Sequence, residues 1–160
     1  AEHDFTIEHD IVDGGASRFE SSRNGLALVP DEEEGVVGFH DGVRPFVSAE
    51  TIDRCFEAAR EDYAALPVMP VTDTLRFTGG SSAGRNVPRS DYRIVQTPQV
   101  FDIALAKQAF RQPYRDAFTD DASVVESLGC QVRMVEGNRE NIKLTTPFDL
   151  QLADFIIKQQ

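Results

Sequence analysis

Short apolar runs alternate with stretches of helical period along nearly the whole chain, and this alternation limits the possible folds more than any other feature. Val36-Val37, residues 66–71, Ile94-Val95 and residues 131–135 read as strands. Ile11-Val12, ahead of a glycine pair, reads as another. Phe19 to Val29, a face of Ile52, Cys55, Phe56 and Ala59, a face of Ile103, Leu105, Ala106, Ala109 and Phe110, and a row of Leu150, Ala153 and Ile157 read as helices with one side in the core. Ser48, Thr119-Asp120-Asp121 and Thr146 offer side-chain oxygens at helix starts, Pro147 suits a first helical position, and Gly129 marks a stop. A strand–helix alternation of this kind implies an α/β fold with a mostly parallel, covered sheet.

Residues 73–92 break the rhythm. Thr74-Leu75-Arg76-Phe77 and Arg85-Asn86-Val87 flank the glycine-rich stretch from Gly79 to Gly84, which predicts a two-stranded arm. A lone ribbon buries too little surface to be stable, so it must pack on something.

The formal charge of −11 over 160 residues excludes a broad nucleic-acid surface, while leaving room for small anions held by a few local cations. No apolar run approaches a membrane span and no signal segment is evident. Cys55 and Cys130 read as core thiols, and the acidic run at residues 31–34 as a solvated loop. His3, His9 and His40 lack metal-ligand spacing; only His40, beside Asp41, stands near a candidate site.

Three stretches suit phosphate chemistry. After Val36-Val37-Gly38, the run from Phe39 to Phe46 sets Asp41 and Arg44 at a strand end, where an acid can meet a metal or hydroxyl and an arginine can clamp a phosphate; the two could equally pair with each other. Gly14-Gly15-Ala16-Ser17-Arg18 forms a glycine turn opening a helix. Residues 138–147 form a polar loop, a short apolar strand with Lys143, and a helix start; such a lysine either snorkels or binds an anion.

In order and spacing these segments resemble the 2-C-methyl-D-erythritol 4-phosphate cytidylyltransferase family of the non-mevalonate isoprenoid pathway. The matching residues are Asp13-Gly14-Gly15 with Arg18 and Ser21, His40-Asp41-Gly42-Val43-Arg44-Pro45, Pro70-Val71-Thr72-Asp73-Thr74, Val87-Pro88-Arg89, Gln96-Thr97-Pro98-Gln99-Val100-Phe101, Thr119-Asp120-Asp121-Ala122-Ser123, and Glu136-Gly137-Asn138 leading to Asn141-Ile142-Lys143-Leu144-Thr145. The resemblance implies a single Rossmann-like (GT-A-like) three-layer nucleotidyltransferase domain over residues 1–160, with 73–92 as a dimerisation arm. It also implies a cytoplasmic enzyme that transfers a cytidylyl group from CTP to the polyol phosphate with Mg2+ and acts as a homodimer, without nucleic-acid or membrane partners.

Carried over position by position, the resemblance assigns Arg89 and Lys143 to catalysis, Asp41, Arg44, Thr74 and Thr119 to the substrate, and Gly15, Ala16, Ser21, Gly42 and Thr97 to the nucleotide. Asp41 is also the metal ligand. Arg89 and Thr119 would reach a neighbouring subunit's site. Family members often carry an acid where Ala16 stands, which leaves only a backbone contact there.

The family's glycine-rich triphosphate loop and Pro-Lys pair have no counterpart in this sequence. The expectation is a chain corresponding to the C-terminal two-thirds of the family domain, which alone binds CTP poorly and turns over little. Two other readings remain at this level: a cytidylyltransferase for another polyol phosphate such as ribitol 5-phosphate, and a non-catalytic dimerisation module.

Overall fold

Successive residues of one central strand face opposite ways, and each side chain finds a different helical layer. In the computed structural model, which describes residues 6–159, Ala64 and Leu66 of that strand join a cluster with Phe19, Leu26, Phe110 and Val125. Ala65 joins a second cluster with Cys55, Ala58, Ala59 and Val100. Period-two burial on both faces is the signature of a sheet sandwiched between helices.

The elements run α1 (Arg18–Leu26), β1 (Val36–Phe39), α2 (Ala49–Asp62), β2 (Ala64–Pro70), β3 (Leu75–Phe77), β4 (Arg85–Val87), β5 (Arg93–Val95), β6 (Gln99–Asp102), α3 (Ile103–Phe110), α4 (Asp121–Glu126), β7 (Arg133–Glu136) and α5 (Pro147–Ile157). Helix α2 covers one face and α1, α3 and α4 the other, giving three layers. Side chains of Ser17, Ser48, Asp102, Asp120 and Thr146 accept the free N–H groups that open the five helices. Among the described residues no helix is long and apolar enough to cross a membrane. His3 lies outside the described residues.

The sheet is mixed rather than mostly parallel. Among the described residues only β2 and β7 pair in parallel, while β1·β6, β2·β6 and β2·β5 are antiparallel. The cause is the arm. Where a crossover helix would return the chain parallel to β2, β3 and β4 instead run out and back, with Leu75 opposite Val87, so β5 and β6 re-enter against β2. Strands β1, β2 and β7 still share one direction, because β6 opposes both β1 and β2 and β7 follows β2.

Strands β5 and β6 form one interrupted strand along one edge of β2. From Ala65↔Val100 to Val68↔Val95, three steps on β2 (68 − 65) face five on the other side (100 − 95). Two extra residues are therefore absorbed at Gln96-Thr97-Pro98, whose Thr97–Pro98 peptide is cis. The sequence showed a bend there but not β6, a short strand at the centre of the sheet.

Three local expectations change. The Ile11-Val12 segment has no ladder partner and Ile11 is 90 % exposed; its neighbours bond to α1 instead, Asn24 donating to the Asp13 carbonyl and the Gly15 amide to Ser21 Oγ. Residues 141–145 join no strand ladder; the Leu144 amide bonds the Val43 carbonyl instead. On α5 only Ala153 is buried, while Leu150, Ile157, Phe148 and Phe155 are exposed, so the expected core-facing row has no packed layer against it among the described residues.

Phe101 lies at the crossing of β1, β6 and β2, is fully buried, and contacts the ring of Phe39 at 5.9 Å between centroids. Replacing it with alanine removes a large side chain from a close-packed core and is expected to cost about 3–5 kcal/mol in urea unfolding. A loss under about 1 kcal/mol would mean that this face of the sheet is not closed.

Candidate functional site

Asp41 follows β1 at its carboxyl end, in a turn closed by the Arg44 amide bonding the Asp41 carbonyl at 3.0 Å. Two segments from elsewhere meet this turn. The amide of Leu144 bonds the Val43 carbonyl at 2.9 Å and brings Lys143 alongside, and the bulge between β5 and β6 brings Thr97 beneath. All three lie where strands β1, β2 and β7 end, the side of an open α/β sheet that receives ligands.

The Asp41 carboxylate gathers cations. Arg44 Nε lies 3.1 Å and Lys143 Nζ 3.2 Å from its Oδ2, and Arg18 Nη2 lies 3.9 Å from Oδ1. Burial pushes the Asp41 carboxyl up, but hydrogen bonds from Arg44 and Lys143 and the nearby Arg18 charge outweigh it and hold the group below its ordinary value. The turn thus contains both the Asp41–Arg44 ion pair and a cation cluster.

Arg18 is the site residue whose role the sequence did not disclose. It bonds Asp121, which is almost fully buried, at 2.5 Å, and Ser22 donates to the same carboxylate at 2.8 Å. Burial alone would lower the Arg18 guanidinium's pKa; the bond to Asp121, with the charges of Asp41 and Asp120, raises it instead. A 103-residue separation between partners left no local signal. Asp120, by contrast, takes the capping role anticipated for this stretch, in a reciprocal box with Ser123.

Two recesses meet at this cluster. One, of about 510 Å3, is lined by Arg18, Ser21, His40, Asp41, Gly42 and Asp121. The other, of about 170 Å3, is lined by Arg18, Asp41, Arg44, Thr97, Thr119 and Lys143. Arg18 and Asp41 form the partition between them. A third recess of about 490 Å3 adjoins Arg44 and Lys143 and has Met69, Pro70, Ile94 and Ile142 in its wall. A larger one, about 690 Å3, opens at the opposite end of the sheet, but its single cation, Arg133, is already paired with Glu61 and Asp62. The cation-lined pair fits phosphates better.

The residues singled out in the sequence divide accordingly. Asp41, Arg44, Lys143, Thr97 and Thr119 converge on the small recess, and Ser21 and Gly42 line the 510 Å3 groove. Gly15 stands against α1, where a Cβ would come within 2.2 Å of the Glu20 Cβ, so only glycine permits this approach. Ala16 is exposed beside it. Thr74 lies just before β3, and Arg89, at the base of the arm, bonds the Thr72 carbonyl of its own chain. Neither joins the Asp41 cluster within one chain.

Of the acids that line the two recesses, Asp120 and Asp121 accept hydrogen bonds at both oxygens, whereas Asp41 accepts at Oδ2. Among the described residues no group of three or more histidine, cysteine or acidic side chains could hold an ion. The Asp41 Oδ1 has Arg18 Nη2 at 3.9 Å and no closer cation, which fits Mg2+, an ion that commonly takes one or two protein carboxylates and fills its shell with water and substrate phosphates.

Comparisons with known proteins point one way. The sequence profile of the family described as "IspD: 2-C-methyl-D-erythritol 4-phosphate cytidylyltransferase" matches residues 3–159. A relative of that name from Phocaeicola vulgatus is 57 % identical over 153 residues, covering 96 % of this chain and 68 % of the relative. Another from Bacteroides thetaiotaomicron is 52 % identical over 156 residues, covering 98 % and 70 %. The crystal structure of the Thermus thermophilus protein of the same name superposes with a TM-score of 0.80 at 41 % identity, covering 91 % of this chain and 71 % of that one.

Because the Asp41 carboxyl sits below its ordinary value, its contribution to stability is complete above about pH 4 and lost as pH falls through the lowered value. Wild type and Asp41→Asn are therefore expected to differ in stability by a constant amount from pH 7 to about pH 4 and to converge below it. Urea unfolding across that range reads the difference; convergence already above pH 5 would contradict the ion-pair geometry.

Proposed function

The chain belongs to the 2-C-methyl-D-erythritol 4-phosphate cytidylyltransferase family, and from that premise we propose that it serves cytidylyl transfer from CTP to 2-C-methyl-D-erythritol 4-phosphate, in isoprenoid precursor synthesis. The products are 4-diphosphocytidyl-2-C-methyl-D-erythritol and pyrophosphate. The observation that carries this reading is the convergence of Arg44, Lys143 and Arg18 on one carboxylate between two adjoining recesses.

In this reaction an oxygen of the acceptor phosphate attacks the α-phosphorus of CTP, and the bond to the bridging oxygen of the β-phosphate breaks. The attacking oxygen is already anionic at neutral pH, so no general base is required. Catalysis then consists of bringing two anions together and neutralising their repulsion. Arg44, whose guanidinium is fixed by Asp41 and the Asn141 carbonyl at 2.8 Å, presents a rigid fork to the acceptor. Lys143 supplies a mobile point charge to the same phosphate. Arg18 faces both recesses and screens the approaching donor. Asp41 would hold a magnesium ion, which would supply charge neutralisation between the two phosphates.

The groove lined by Ser21 and Gly42 takes the cytosine end, with Gly15 and Ala16 offering backbone groups at its margin. The arm joins two copies, so that Arg89 reaches the neighbour's acceptor site, and Thr74 and Thr119 complete the substrate contacts. The arm suits such a role by charge. Residues 73–92 carry Arg76, Arg85 and Arg89 against Asp73 and Asp91, a net +1 in a chain of net −11.

Calorimetry with the acceptor alone tests the acceptor site without involving the triphosphate. Methylerythritol phosphate is expected to bind, Lys143→Met to weaken it about tenfold or more, and ribitol 5-phosphate to bind less well. Equal affinity for both acceptors would shift the reading to another polyol phosphate.

Shared sites can be tested by mixing. Arg89→Met and Lys143→Met subunits are each expected to bind the acceptor poorly as homodimers. An equimolar mixture makes half the dimers hybrid, each with one intact site of two, restoring tight binding at about a quarter of sites. No restoration would exclude a site built from two chains.

A further inference from the structure

The hydroxyl of Thr97 is engaged on both sides. It accepts from the main-chain N–H of Asp41 at 3.0 Å and lies 2.9 Å from Nδ1 of His40. The other imidazole nitrogen, Nε2, lies 2.9 Å from the carbonyl oxygen of Arg44. A carbonyl can only accept, so Nε2 carries the hydrogen. In the neutral ring Nδ1 is then an acceptor, and its donor is the Thr97 hydroxyl.

The main chain of Thr97 is engaged as well. Its carbonyl accepts from the Asn141 side-chain amide at 2.8 Å, and the Asn141 carbonyl accepts from Arg44 Nη1 at 2.8 Å and from Gln96 at 3.2 Å. Thr97 is 4 % exposed and Asn141 fully buried, while the His40 ring reaches the edge of the larger groove. Arg44 is thus held at its carbonyl through His40 and at its guanidinium through Asn141, and both holds lead back to one residue.

We propose that Thr97 is a positioning residue for the phosphate-binding cations rather than a nucleotide contact: through His40 in its Nε2–H form and through Asn141, it sets Arg44 against Lys143. The functional part of this inference rests on the acceptor-site reading above. A nucleotide acceptor reaching for the Thr97 hydroxyl hydrogen would have to displace the His40 imidazole, and the one lone pair that remains on the oxygen serves only a donor, at a residue 4 % exposed. No displacement is needed if the hydroxyl acts through its neighbours. Arg18, Asp41, Arg44, Asp120 and Lys143 are the charged groups around this recess, and the cations among them are the groups the relay positions.

The experiment compares Thr97→Val, which keeps the shape and removes the hydroxyl, with Thr97→Ser, which keeps the hydroxyl. Long-range proton–nitrogen NMR of the imidazole is expected to show the neutral Nε2–H tautomer of His40 in the wild type. Thr97→Val displaces the Nδ1 signal and the Arg44 Nε resonance, while Thr97→Ser leaves both in place. Titration with inorganic phosphate is expected to weaken about three- to tenfold in Thr97→Val and to stay within about twofold in Thr97→Ser. A second pair bypasses position 97 should Thr97→Val fold poorly. His40→Gln retains a donor toward the Arg44 carbonyl and keeps most of the phosphate affinity, whereas His40→Ala loses it at an unchanged thermal midpoint.

An Nδ1–H tautomer in the wild type, or unchanged His40 and Arg44 signals in Thr97→Val, overturns the inference whatever the protein binds. If the wild-type chain binds no phosphate, the acceptor-site reading fails, and the NMR comparison alone decides the role of Thr97.

Discussion

One carboxylate holds the site together. Arg44, Lys143 and Arg18 each lie within 3.9 Å of the same carboxylate, and like charges gathered around one point repel. Asp41 sits among them, mostly shielded from solvent, and converts that repulsion into attraction. The arrangement is therefore a template. On the proposed reading the cations are already placed when a phosphate arrives, so binding does not bear the cost of assembling them. Asp121 does the same for Arg18 from beneath, which lets one guanidinium face two recesses without swinging between them.

The template depends on an irregularity in the sheet. The two-residue excess is absorbed at Gln96 and Thr97: the Gln96 main-chain N–H still donates to the Pro67 carbonyl of β2 at 2.9 Å, its side chain reaches over to the carbonyls of Asn138 and Asn141, and the Thr97 hydroxyl accepts from the Asp41 amide. Gly137 makes room for this, since a Cβ there would stand 2.2 Å from the Gln96 amide oxygen. The bulge thus joins the loop after β1 to the loop after β7, which no ladder connects.

Much of this was legible in the sequence, for identifiable reasons. Ser48, Asp120, Thr146-Pro147 and the glycine-rich arm tip are local signals, decided within four or five residues, and the elements they bound form where expected. Asp41 and Arg44 were recognisable because a strand end followed by charge is itself a local pattern, and Lys143 because a lone lysine within a short apolar stretch is another. What was not legible is non-local. The direction of β6 depends on the arm preceding it, and its four residues, two of them polar, give no strand period. The pairing of Arg18 with Asp121 spans most of the chain. The apolar row of α5 has the period of a buried helix, but periodicity reports a preference for burial and not the presence of a covering surface, and most of that row is exposed.

Exposure along α5 does not loosen the site, because the segment bearing Lys143 is anchored at both ends. Upstream, Asn141 is buried and bonded to Gln96 and Thr97. Downstream, the Asp149 carboxylate accepts from the amides and hydroxyls of both Thr145 and Thr146; these bonds hold it below its ordinary pKa and fix the turn into the helix. Lys143 is suspended between these anchors with its main chain fixed and its side chain half exposed. Arg44 is fixed to the tip of its side chain. On the proposed reading, a phosphate entering the recess meets one cation that dictates its orientation and another that can follow it. A group transfer in which the acceptor phosphate moves toward a second phosphorus needs that division of labour, because two rigid cations would hold the ground state as firmly as the transition state.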